Sequence, residues 1–487
     1  MLIPVDMREW VPENHLVHFI IDAIGQLDIS SFKVNRRGSG DEQYPPEMML
    51  ALLVYCYATG TFGSRRIEAE TYTDVAVRYI CGGRAHPDHS VICVFRTENK
   101  AAFEEAFVKV LVIAREMGHL KKVGGISIDG TKIKANASKH KAVSYKHAKK
   151  MIGVLEEEVR QLVAKAEEAD NKPLEDGLTI PEEIKRRQER IAKLEAAKAA
   201  MEERYDVIKQ HEQAAYEEKV LEREKRELET GKKSGGKAPK PPSDTPPDTS
   251  QFNFTDSDSR IMKAGNGNHF EQAYNVEAAV DTEGSMLLLG GQVTNHANDK
   301  EELSATVDSV PKEVREISDV SADTGFFSAK EIEAVEKKTI DEEGKETQEG
   351  PIVYCAVKKQ SHHRTVEDLE QKPDIPPPPA EASMKEQMAH RLQTPEGKAK
   401  CKKRKETVEP VFGIIKSVIG FRQFLVRGLE KVNTEWAIVK LAYNFKRLHR
   451  LSCASVPNRG NGGDSFGRMM PEKSRTAGFL SKFLPTG

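Results

Sequence analysis

The sequence predicts a mixed α/β core around one sheet, with an all-α domain ahead of it and a helical hairpin or coiled coil inserted into it. Three observations carry this prediction. Apolar residues recur at helical spacing between residues 14 and 120, as in HLVHFIIDAI, PPEMMLALLVYCYATG and AAFEEAFVKVLVIAREMG. Strand-like alternation begins in VGGISIDGTKIKA, stops, and resumes only after residue 250. Between these strand regions, residues 139–230 are almost all charged or helix-forming. A length of 487 residues suits roughly three domains at ~150 residues each.

Residues 1–120 form the predicted helical, DNA-binding domain. Within it, SRRIEAETYTDVAVRYICGGRAHPDHSVICVFR is broken at Gly82-Gly83 and at His86-Pro87-Asp88. Short helices joined by tight turns are what a helix-turn-helix reader of DNA uses, with Arg65, Arg66, Arg78, Arg84 and Arg96 available for phosphates and base edges. A small helical bundle with arginines on its wet face fits this segment equally well. Residues 121–138 are the first part of the core, where Ile126 and Ile128 alternate up to Asp129. Residues 139–230 are the inserted hairpin: Ile152, Leu155, Val159 and Leu162 make one seam, and Ile184, Ile191, Leu194, Met201, Tyr205 and Ile208 the other, with Lys198 interrupting its heptad steps. NKPLEDGLTIPEE supplies the turn between them, with Thr179 and Glu182 spaced as a capping box. Residues 231–250, rich in Gly, Pro and Ser, are a linker.

Residues 251–450 hold the rest of the core. QAYNVEAAVD and SMLLLGGQVT read as strands around a turn at Thr282-Glu283-Gly284, followed by a helix in NDKEELSATVDSV and a strand in VREISDVSADTGFF. SAKEIEAVEKK is helical, PIVYCAV is a strand, 361–383 with Pro376 to Pro379 in a row is a loop, and 384–450 is helical. Residues 451–487 read as a disordered tail.

Composition narrows the function classes. A net charge of -2 argues against a general polycation, so any nucleic-acid surface must be local. One such stretch exists: residues 398–450 carry fourteen Lys/Arg against four Asp/Glu, a local charge of +10. No run of ~18 uncharged apolar residues is present, and the first residues lack a basic start followed by an apolar stretch, so no membrane association and a cytoplasmic location are expected. The six cysteines lack a CxxC pair, which disfavours a zinc site or a disulfide framework. His269, His296, His362 and His363 show no metal-ligand spacing, and Asp281 and Asp299 read as a turn residue and a helix cap.

The chemistry resides in three carboxylates. Asp129 ends the first core strand, Asp323 ends the strand in VREISDVSADTGFF, and Glu409 stands at the start of a late helix. Carboxylate oxygens are hard ligands suited to Mg²⁺, and three of them suffice for two ions that act on the two sides of a phosphodiester. Each residue also has a plainer use, in a turn or against a helix dipole.

SIDGTKIKANAS, TDSDSRIM, AYNVEAAVD, VTNHANDKEEL, VSADTGFFS and ETVEPVFGIIKSVIGFRQFLVRGLEKVNTEWAIVKLAYNFKRL, in that order, resemble the bacterial insertion-sequence transposases of the DDE class. YPPEMMLALLVYCYATGTFGSRRIEAETYTDVAVRYICGG with HPDHSVICVFR resembles the helical domain that precedes their catalytic core. The resemblance implies a ribonuclease-H-like core, with Asp129, Asp323 and Glu409 as catalytic and metal-holding residues for two Mg²⁺ ions, replaceable by Mn²⁺. It further implies terminal inverted repeats and target DNA as substrates, a homodimer or larger assembly on DNA, and a bacterial, nucleoid-associated location. Arg404 and Lys416 match places in the family's tyrosine, arginine, glutamate, lysine signature and are expected on DNA, together with Arg65, Arg66 and Arg96. Cys401 stands at the tyrosine's place, and four residues rather than three separate Arg404 from Glu409. Proline lacks the N–H an interior position needs, so Pro410 predicts that the helix starts or kinks beside Glu409. Two rivals stand beside the transposase: a metal-dependent DNA nuclease without joining, and a catalytically decayed DNA-binding protein.

Overall fold

The computed structural model describes residues 7–33, 44–83, 85–168, 179–230, 238–263, 269–340, 346–357, 379 and 382–455. The expected turn at 171–178, the start of the linker, Arg84, His362, His363, most of the 361–383 loop and the tail beyond 455 lie outside the described residues. The chain divides into two units, Met1–Asn136 with Ala273–Gly487, and Ala137–Gln272.

The first unit opens with helices α1 (Leu16–Ile24), α2 (Pro46–Thr59), α3 (Ser64–Thr73), α4 (Val75–Ile80), α5 (His89–Glu98) and α6 (Lys100–Glu116), and then enters strand β1 (Val123–Lys134). The second unit holds β2 (Ala142–Ser144), α7 (Tyr145–Glu168), α8 (Ile180–Thr230), β3 (Gln251–Asn253) and β4 (Arg260–Lys263). Strand β5 (Phe270–Asp281) leads back to the first unit, followed by β6 (Leu288–Gly290), β7 (Val293–Thr294), α9 (Leu303–Asp308), β8 (Glu316–Ala322), α10 (Ala329–Glu336), β9 (Lys338–Ile340), β10 (Glu346–Gln348) and β11 (Ile352–Cys355). Helices α12 (Met384–Gln393), α13 (Pro395–Gly413) and α14 (Leu429–Ser455) close the described chain, with a π-helical turn at Ile414–Ile419 after α13.

In the central sheet β11, β8, β1 and β5 lie side by side in that order. β8 runs parallel to both β11 and β1, whereas β5 is antiparallel to β1 and pairs with β6 and β7 along its other edge. The expected single strand in SMLLLGGQVT is therefore two short ones. Gly291 breaks it at φ 130°, where a Cβ would meet the Glu277 carbonyl oxygen at 2.2 Å. β1 is buried on both faces from Gly124 to Ile128 and emerges at Asp129, which does not end the strand as expected, because pairing with β5 continues to Lys134.

Helix α2 is apolar on all sides, with Met48 to Ala58 all buried, so it packs on every face. Its neighbours include α14 as well as α1, which means that residues 1–120 do not close a core of their own. Phe19 meets Phe445 edge-on at 6.4 Å, and Lys446 Nζ donates to the Ala58 carbonyl over 2.7 Å. Lys440 of α14 is interior too: its ammonium lies 4.4 Å from the Phe107 ring centre and donates to the Gly291 carbonyl at 3.0 Å. Burial lowers its pKa to about 8. A base depressed in the folded state binds fewer protons folded than unfolded between its two pKa values, so stability rises with pH there. Urea titrations should show the native chain gaining stability from about pH 8 to 10. Lys440→Met should flatten that rise; an unchanged pH slope in the variant would contradict the burial of a titrating lysine.

In the second unit α7 and α8 run antiparallel: Tyr145 Oη donates to Glu202 at 2.6 Å near one end, and Arg187 meets Glu158 at 2.9 Å towards the other. Leu155, Leu194, Ala197 and Met201 are buried between them, with Ile152 and Ile191 at the margin. Lys198 leaves this interior to Ala197, one position earlier. Ile208, expected on the seam, is exposed, because α7 is less than half the length of α8 and pairs with its first part. Thr179 and Glu182 do pair at the start of α8, with the Glu182 carboxylate accepting from both the N–H and the hydroxyl of Thr179.

Candidate active site

Register assembles the site. Ser127 of β1 lies opposite Ser321 of β8 in the parallel pair, and its hydroxyl touches that of Thr407 on α13 at 2.6 Å. Asp129, Asp323 and Glu409 each follow one of these three residues by two positions. The three carboxylates therefore come from a strand, the end of its parallel neighbour and the helix laid across them. Asp323 stays in place through its own loop: Oδ1 accepts from the Gly325 N–H at 2.7 Å, and its carbonyl accepts from the Cys355 thiol at 3.1 Å.

Charge registers this proximity. Burial first, helped by Asp323 and Glu409 and opposed by Arg404 and the Gly130 N–H, pushes the Asp129 carboxyl up to about 7. Hard oxygen donors crowded in this way are chemically suited to a divalent cation. In this conformation, however, no group of three or more His, Cys, Asp or Glu among the described residues is arranged to hold a metal ion. A guanidinium lies among them instead. Arg404 donates from Nη2 to Glu409 Oε1 at 3.0 Å and has Nη1 3.8 Å from Asp129 Oδ2.

Glu409 does not start a helix, and Pro410 does not mark the start of one. Both lie inside α13, which begins fifteen residues before Pro410. The missing N–H at Pro410 costs one bond to the Glu406 carbonyl, on an exposed side of the helix. Lys416 lies in the π-helical turn that follows. Its ammonium turns onto β1, donating to the Thr131 hydroxyl and, at 3.0 Å, to the Lys132 carbonyl. Partial burial lowers its pKa, and Asp129 opposes that shift.

Arg96 is not on the surface. Only 3 % exposed, it donates to the Tyr57 hydroxyl at 3.0 Å and the Phe62 carbonyl at 3.2 Å, and pairs with Glu435 at 3.5 Å. It ties α5 to α2 and α14 rather than meeting DNA, because its guanidinium is buried against Tyr57 and Glu435. Arg65 and Arg66, in the first turn of α3, are exposed. The basic stretch also divides: Lys440 is interior and Lys400 pairs with Asp319, whereas Lys398, Lys402, Lys405, Arg422, Arg427, Lys431 and Arg450 are exposed.

Two acids beside the site are not assigned to it from the sequence: Glu277 is not singled out, and Asp299 reads as a helix cap. Glu277 on β5 is fully buried, accepts from Asn275 Nδ2 at 2.6 Å, and is pushed up to about 9 by burial first and Asp299 second. Asp299 is no helix cap: it accepts from Lys132 Nζ at 3.1 Å and from Asn275 Nδ2 at 2.6 Å. A Cβ on Gly325 would lie 3.0 Å from both Asp299 Oδ2 and Asp323 Oδ1, so glycine is what lets these two acids approach. The available signal was the polar pair Asn275 and Glu277 alternating with the apolar Tyr274, Val276 and Ala278 of β5. Asp281, read as a turn residue, is buried in an ion pair with Arg315.

Residues 5–98 match a family described as a transposase domain (DUF772), and residues 355–449 match one described as a transposase DDE domain. The second match contains Arg404, Glu409 and Lys416; Asp129 and Asp323 fall outside both. No curated protein and no solved structure matches the chain significantly. No helix among the described residues is long and apolar enough to cross a membrane.

Proposed function

We propose that this chain, an insertion-sequence transposase of the DDE class by the domains at both of its ends, binds the terminal inverted repeats of its element and cuts and joins DNA at Asp129, Asp323 and Glu409. The observation that supports this most is the contact of Arg404 with both Glu409 and Asp129, beside the parallel pairing of β1 and β8 that brings Asp129 next to the strand ending before Asp323. The core is read as ribonuclease-H-like on the mixed sheet with α13 laid across it.

Asp129, Asp323 and Glu409 would hold Mg²⁺, two ions when loaded, which supplies a deprotonated oxygen nucleophile and charge neutralisation at phosphorus. The remaining work belongs to the chain. Lys416, fixed on β1 beside Asp129, presents positive charge where a scissile phosphate must sit. Exposed Lys398, Lys402 and Lys405 on α13 neutralise neighbouring phosphates. Water first displaces the 3'-oxygen at the element's end and frees a 3'-hydroxyl. That hydroxyl then attacks a target phosphorus, so one P–O bond forms as another breaks, and no covalent enzyme intermediate arises. Two ends must meet for joining, which calls for at least a dimer on DNA. Such an enzyme works where bacterial DNA is, at the nucleoid.

Residues 1–120 supply end binding in this reading, through Arg65 and Arg66 of α3. Arg65→Ala and Arg66→Ala should each weaken binding to a terminal-repeat duplex and reduce the salt-dependence slope by about 1, as loss of one phosphate contact does. Fluorescence anisotropy from low to moderate salt measures both. Slopes equal to the parent's would remove these arginines from the interface. A decayed DNA-binding copy is the second reading, favoured by the lack of a converged three-acid group among the described residues. Incubation of labelled repeat ends with a target plasmid and Mg²⁺ separates the readings: joined product supports a transposase, cleavage alone a nuclease, and binding alone a decayed copy.

A further inference from the structure

We propose that Arg404 is the resident counter-cation of the carboxylate centre in the DNA-free protein, which opposes loading of the divalent ion until a DNA phosphate draws the guanidinium away. The inference rests on the reading of Asp129, Asp323 and Glu409 as the metal-holding residues. Arg404 bridges two of these acids, at 3.0 Å to Glu409 and 3.8 Å to Asp129, and its side chain is 14 % exposed. Lys402 and Lys405, its neighbours on the same helix, point to solvent. Its spacing to Glu409 is five residues, not the three or four that pair on a helix surface, so the contact exists because the side chain turns in towards β1. Within the described residues, the guanidinium sits where the three acids fail to form a metal-holding group.

Arginine suits this role better than lysine. Its planar fork spans two carboxylates, stays charged at every working pH, and meets a phosphate with the same paired geometry, so it can pass from the acids to DNA. The device would keep the centre unloaded until DNA arrives, which limits stray hydrolysis.

The test is Mn²⁺ binding to the DNA-free full chain, followed by the loss of free-Mn²⁺ signal in electron paramagnetic resonance. Arg404→Gln should bind Mn²⁺ about tenfold more tightly than the parent, the scale of one charge-assisted contact. Arg404→Lys, which keeps the charge, should stay near the parent and reports on folding. Asp129→Asn placed in the Arg404→Gln background should remove the gain, and a terminal-repeat duplex should tighten Mn²⁺ binding by the parent more than by Arg404→Gln. Binding by Arg404→Gln that equals or falls below the parent's, while Asp129→Asn still weakens it, would overturn the counter-cation and leave the metal-holding acids standing. If Asp129→Asn changes nothing in either background, the metal-holding reading fails and the counter-cation with it.

Discussion

Asp323→Asn should lower both end cleavage and strand transfer by about a thousandfold or more, the scale expected when a carboxylate that anchors catalytic metal charge is neutralised. The substitution is nearly isosteric, and its amide oxygen can still accept from the Gly325 N–H that Oδ1 now binds at 2.7 Å. The loop after β8 therefore keeps its shape, and the loss reports on charge rather than folding. Binding of a terminal-repeat duplex should stay within about twofold of the parent, since Asp323 carries no positive charge for phosphates. Gel analysis of labelled ends gives the first quantity and anisotropy the second. Cleavage within about tenfold of the parent would remove Asp323 from the chemistry.

Glu435→Ala should be the most destabilising single change, at roughly 3–5 kcal/mol, because it strands buried partners. Glu435 is fully buried. It accepts from the Tyr57 hydroxyl at 2.7 Å and the Leu425 N–H at 2.8 Å, and faces Arg96 at 3.5 Å. Alanine would leave Arg96 charged without its counter-ion, in a site closed to water. The change should appear as a large fall in the urea midpoint, and replacing Arg96 and Glu435 together by Met and Leu should recover part of it. A loss below about 1 kcal/mol in Glu435→Ala would mean that water reaches Arg96.

Much of this architecture is legible in the sequence because periodicity is local. The period-two runs around Asp129 and in AYNVEAAVD become β1 and β5, and Leu155, Leu194 and Met201 do face one another between α7 and α8. Of the three acids, Asp323 does stand at the end of its strand, whereas Asp129 lies within β1 and Glu409 within α13. What periodicity does not reveal is the sign of burial for a charged residue. Arg96 reads as a surface arginine until Glu435, 339 positions away, is brought against it. Lys416 and Lys440 likewise count towards a basic surface in the sequence, but find backbone carbonyls at Lys132 of β1 and at Gly291 between β6 and β7. The end of α13 misled for a backbone reason: proline removes a single hydrogen bond, and an exposed helix face tolerates that loss. Asp299 and Glu277 stayed hidden because their significance depends on Lys132, Asn275 and a glycine that lets two carboxylates approach.

The most direct measurement is a strand-transfer reaction with labelled repeat ends, a target plasmid and Mg²⁺, in which the parent, Asp129→Asn, Asp323→Asn and Glu409→Gln run side by side. Joined product from the parent alone, with end binding retained by all four proteins, is the predicted result. Joined product from any of the three variants at the parent's rate would contradict a centre built from these carboxylates.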